Sequence, residues 1–136
     1  MTFKPQTPHI ARDERGQAMV EFAFVVPIIL TLVLAIIQFG IAYNNYVTLT
    51  DAARAGARKA AVSRYLGSGS ATQACKDAVT NSASDLNASD LQISCTSSWA
   101  PASDVEVNAT YPYDINILGV VVKSGRLSTT TTERVE

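Results

Sequence analysis

From Phe22 to Ala42 the chain reads Phe-Ala-Phe-Val-Val-Pro-Ile-Ile-Leu-Thr-Leu-Val-Leu-Ala-Ile-Ile-Gln-Phe-Gly-Ile-Ala, and no charged residue occurs from Phe22 to Asn44. At a helical rise of about 1.5 Å per residue, this run is long enough to cross a hydrocarbon core of about 30 Å. A helix buried in a soluble core rarely stays apolar around its whole circumference for such a length. A cleavable secretory signal has a shorter apolar region with a small-residue cleavage site close behind it. Here Tyr43-Asn44-Asn45-Tyr46 follows instead, and Ala53-Arg54-Ala55 lies too far along. An amphipathic surface helix would carry a charged face, and this run has none. It reads as a transmembrane span over residues 22–42.

Pro27 removes one backbone donor near the start of the span and is expected to kink the helix there. Thr31 and Gln38 are mildly polar, and each has the choice of bonding a neighbouring helix or its own backbone. Lys4, Arg12 and Arg15 precede the span while Arg54, Arg58 and Lys59 follow it, so positive charge alone does not orient it.

If the span takes the first ~45 residues, about 90 are left for a water-soluble head, small enough to need a staple. Cys75 and Cys95 both lie in that part. In an exported domain their simplest use is a disulfide closing a loop of about 20 residues, a constraint of roughly 3 kcal/mol; the alternative is two reduced core thiols. A zinc site would need about four ligands, and no further cysteine or histidine lies nearby. Eleven basic against 12 acidic residues, net charge −1, give no reason to expect a nucleic-acid partner.

Just before the span stands Arg12-Asp13-Glu14-Arg15-Gly16-Gln17-Ala18-Met19-Val20-Glu21-Phe22. Glu21, at the edge of the apolar run, costs a few kcal/mol unless it is paired or reaches the interface. One reading has it snorkel to the headgroups. Another has a peptidase cut between Gly16 and Gln17, creating an α-amino group four residues before Glu21. The two charges are then partners, within one helix or between neighbours, and would fix the stagger of packed subunits.

A leader ending in Gly, four residues, Glu and an aromatic, then a long apolar helix, resembles the class III signal of type IV pilins and pseudopilins. The form Gly16-Gln-Ala-Met-Val-Glu21-Phe22, the proline within the span and the helix Asp51-Ala-Ala-Arg-Ala-Gly-Ala-Arg58 look most like the TadE-like proteins of the tight-adherence (Flp, type IVb) pilus system. The resemblance covers most of residues 12–64. It extends loosely to 104–136, where Val105–Tyr111 and Ser128–Glu136 resemble the family's terminal strands. Asp13 and Glu14 within the leader depart from the pattern, as does a short connection between Gly119 and Gly125. The resemblance implies cleavage by a prepilin peptidase after Gly16, with Gly16 and Gln17 as the processing site and Glu21 and Phe22 used in recognition or assembly. It also implies a cytoplasmic N-terminus, a head outside the bacterial inner membrane, and contacts with other pilins or pilus assembly proteins through the N-terminal helix.

Beyond the span, Ala52, Gly56 and Ala60 recur every four residues, as do Ala53, Ala57 and Ala61. Such stripes allow close helix approach, and Ala is also simply the best helix former. Gly67-Ser68-Gly69-Ser70 predicts a turn, and Thr72 a cap for a second helix through about Asn87. Leu91, Ile93 and Cys95 alternate as in a strand; Val105, Val107, Ala109 and Tyr111 do so more clearly, with Pro112 ending or interrupting that strand. Residues 119–123 are apolar and β-branched, Ser124-Gly125 predicts a turn, and residues 127–135 are Thr-rich and extended.

The expected fold is α+β: a leader over 1–16, a helix over 17–66, and a small head over 67–136 with a second helix and a three- or four-stranded antiparallel sheet. No enzyme is expected. The one histidine, His9, lies in the leader, no nucleophile motif or phosphate loop is present, and no cofactor is implied. Asp85, Asp90, Asp104 and Glu106 are acids of the kind that loops usually leave solvated.

Overall fold

The computed structural model describes residues 14–135; the leader positions Lys4, His9, Arg12 and Asp13 lie outside the described residues. The elements in chain order are α1 (Glu14–Ala61), a 3-10 turn (Arg64–Leu66), α2 (Ser68–Ser82), β1 (Gln92–Ser97), β2 (Asp104–Ile117) and β3 (Val120–Arg134). The architecture is α+β: a long apolar N-terminal helix, a second helix and a three-stranded antiparallel sheet in the order β1-β2-β3. The chain divides into two units, one ending at Leu34 and one beginning at Ala35.

In the first unit the described structure is helix alone. Helix α1 runs through Pro27 without interruption. Thr31, one turn later, donates its Oγ1 hydrogen to the Pro27 carbonyl at 2.8 Å, so it bonds its own backbone. The apolar side chains from Met19 to Val33 are exposed on every side of the helix.

The second unit holds the core. Leu49, Ala52, Ala53, Gly56, Ala57, Ala60 and Ala61 are buried, three and four residues apart along one side of α1. Both small-residue stripes thus face inward, within this chain. They admit α2 closely: a Cβ on Gly56 would collide with Val79 Cγ2 and lie 3.2 Å from the Cys75 carbonyl oxygen. Val79, Cys75, Ala83 and Leu86 complete this layer, and Cys75 is joined by a disulfide to Cys95 on β1.

Against the helices lies the inner face of the sheet. Val105, Val107 and Ala109 of β2 are buried, and their partners across the ladders are, in that order, Ser97, Cys95 and Ile93 on β1 and Glu133, Thr131 and Thr129 on β3. Glu106 and Asn108 alternate to the outer face, where Asn108 Nδ2 donates to Thr130 Oγ1 at 2.9 Å. Val135 closes the sheet. Its N–H donates to the Ser103 carbonyl at 2.7 Å, its carbonyl accepts from the Ala102 N–H, and its side chain is buried in the core.

Five local expectations are corrected. Residues 68–70 do not form a turn, because α2 already begins at Ser68; the break comes earlier, where Gly67 adopts φ +84°. Thr72 is therefore no cap, and its Oγ1 donates back to the Ser68 carbonyl at 2.8 Å. Helix α2 stops at Ser82, short of Asn87, whose side-chain oxygen instead accepts from the Ser89 N–H and Oγ in a local turn. Strand β2 continues past Pro112 to Ile117. Strand β1 pairs with it only as far as Thr110, so Pro112 has β3 on one side and, among the described residues, no strand on the other, a position that tolerates a missing N–H.

Ser124-Gly125, the fifth, sits within β3 opposite Asp114 and Tyr113. The reversal is made by Leu118 and Gly119, both at positive φ (53° and 85°), the two-residue geometry that matches strand twist.

Candidate functional site

Two places in the chain gather residues that the fold itself does not consume. The first is the start of α1. Gly16 and Gln17 lie in its first turn, and Glu21 and Phe22 one turn further on; all four side-chain positions are exposed. Residues four apart on a helix share a face, so Gln17 and Glu21 are neighbours along one side. Glycine is among the poorest helix formers, which makes Gly16 the easiest point at which to open this turn into an extended strand. Among the described residues Glu21 takes part in no ion pair, the pairing found being Arg54 with Asp51 on the exposed side of α1. The Glu21 carboxylate stands at the rim of an apolar surface, with no charge partner among the described residues.

That apolar surface is the rest of this site. Over Gly16–Ala61 the helix is long and apolar enough to cross a membrane, and its most apolar window is not buried by any of the described residues. A helix that is apolar all round and uncovered is matched by lipid or by other apolar helices. One long apolar N-terminal helix suggests a single-pass membrane protein.

The second place lies in the second unit, where the distal part of the β2–β3 hairpin faces α1 between Phe39 and Tyr46. A cavity of about 590 Å³ opens there, walled by Phe39, Tyr43 and Tyr46 on the helix and by Tyr113, Ile115 and Lys123 on the hairpin. Gly125 lets the Tyr113 ring lie across it, since an added Cβ would come within 2.9 Å of that ring. The sequence reading missed this grouping. Its one visible signal is the apolar run Val120-Val121-Val122 set directly beside Lys123.

Asp85, Asp90, Asp104 and Glu106 do not come together as a cation site: among the described residues no group of three or more metal-binding side chains is assembled. Asn87 Nδ2 donates to Asp90 Oδ2 at 3.0 Å, so Asp90 serves the local turn.

No curated protein and no solved structure matches the chain. The family model described as TadE-like protein matches residues 16–58, from the glycine ahead of Gln17 through the span to the small-residue stripes that build the core. Over that segment, about a third of its length, the chain is similar to the TadE-like proteins.

Proposed function

We propose that this chain is a non-catalytic pseudopilin or minor pilin of a tight-adherence pilus, held in the bacterial inner membrane by α1 with its head outside. The observation that carries this is the conjunction of the TadE-like match over residues 16–58 with an apolar helix left uncovered by the described residues and a carboxylate, Glu21, at the rim. In this reading a prepilin peptidase hydrolyses the Gly16–Gln17 bond, and the new α-amino group of Gln17 becomes the partner of Glu21. A charge pair among apolar helices is far better than either charge alone, so it sets the axial position of one subunit against the next. The partners are the peptidase and other pilins or assembly proteins, engaged through α1. The Cys75–Cys95 disulfide, which joins α2 to β1, suits an oxidising compartment outside the inner membrane.

The second reading is an uncleaved single-pass anchor whose head binds an envelope partner. Intact mass of the membrane-extracted protein, from cells with and without the prepilin peptidase, separates the two. A chain beginning at Gln17 only when the peptidase is present supports the pilin reading. A chain retaining its leader in both strains leaves the anchor.

A further inference from the structure

The outer half of the β2–β3 hairpin is more apolar than a solvated hairpin needs to be. Leu118, Val121 and Val122 are 74%, 54% and 64% exposed, and Val120 beside them is equally open. Leu118 occupies a left-handed conformation, φ 53°, at a hairpin position where Asn or Asp would be the easier residue. The turn thus carries a large apolar side chain at a backbone cost, and nothing among the described residues covers it.

Its position explains what does. Proximal β2 residues Val105, Val107 and Ala109 belong to the core with Leu49 to Ala61 of α1, whereas Ile115 lines the cavity with Phe39, Tyr43 and Tyr46. Strand β2 therefore runs back along α1 toward lower residue numbers. It passes the level at which the apolar run gives way to Tyr43-Asn44-Asn45-Tyr46. The turn lies three residues beyond Ile115, about 10 Å at the rise of a strand.

Behind the apolar tip come Lys123 and Arg126 with Tyr43, Tyr46 and Tyr113 around the same cavity. Asp114 alternates to the opposite face of the hairpin, opposite Ser124. An apolar end followed by basic and tyrosine side chains, followed by a polar head, is the order of groups met on leaving a bilayer.

We propose that the hairpin tip, Ile117 to Val122, inserts into the headgroup region of the membrane beside α1. Lys123 and Arg126 then lie at the level of the lipid phosphates, and the head is held at a fixed height and rotation. The insertion is shallow. Beyond Thr110 the outer edge of β2 has no partner strand among the described residues, and unpaired backbone groups need water within reach.

This rests on α1 spanning the membrane, and the test separates the two. The full chain is purified without reductant as the single-cysteine additions Val121→Cys, Val122→Cys, Thr132→Cys and Ile28→Cys. Each is labelled with an environment-sensitive fluorophore and placed in phosphatidylethanolamine–phosphatidylglycerol vesicles. The expected result is several-fold slower dithionite reduction at 121 and 122 than at 132, with quenching by lipids carrying a nitroxide near the headgroup, independent of protein density. Labels at 121 and 122 that react as fast as 132 while 28 stays protected overturn the insertion and leave the span intact. Loss of protection at 28 as well overturns both. Protection at 121 that appears only at high protein-to-lipid ratio shows that another copy covers the tip, and also overturns the proposal.

Discussion

The Val79 side chain occupies the space that a Cβ on Gly56 would need, so the contact of α1 with α2 depends on a residue having no side chain at all. Gly56→Ala is expected to cost about 1–3 kcal/mol through forced displacement of α2, despite alanine's better helix propensity. For a domain of this size each kcal/mol corresponds to roughly 4–8 °C in Tm. Gly69→Ala, in α2 with open space around it, is the control and should be neutral or slightly stabilising. Thermal unfolding of both variants in detergent checks the difference.

The Cys75–Cys95 bridge closes a loop with a sequence separation of 20 and links the helical layer to the edge strand β1. Its removal is expected to cost about 3 kcal/mol by the loop-entropy argument. Denaturant titration with and without reductant should show a lower midpoint on reduction. An unchanged midpoint would mean that the helices and sheet hold β1 without it.

Glu21→Ala removes the only carboxylate at the rim of the apolar surface among the described residues, and no contact within the fold is lost with it. Membrane levels and head stability should therefore match those of the natural chain, while pili counted by electron microscopy fall sharply. If pili persist at normal numbers, the carboxylate does not set the subunit stagger.

Leu118→Asn places the preferred residue at the first position of the hairpin turn and should stabilise the isolated fold in detergent by about 0.5–1 kcal/mol. In vesicles the gain should shrink or reverse, because the apolar contact is lost. Unfolding midpoints measured in the two media give the comparison directly.

The span was legible because its signal is long, uninterrupted and one-sided in composition, and the strand at Val105–Tyr111 because alternation survives there without ambiguity. Local punctuation was misleading wherever tertiary context overrode it. Pro112 fails to end β2 because β1 has already stopped at its partner Thr110. Gly125 does not turn the chain because it is there to receive the Tyr113 ring. The true reversal hides at Leu118, a residue type that turn chemistry does not favour. Both stripes of Ala and Gly were visible, but spacing alone says only that something comes close; that α2 of the same chain does so required the fold.

Val135 carries a different consequence. It is buried beside residues from Leu49 to Ala61 that leave the ribosome first, and its backbone bonds secure the loop at Ala102 and Ser103. The head therefore cannot close as it emerges. Its alanine-lined helix face stays incompletely covered until the strands that end beside Val135 have been synthesised.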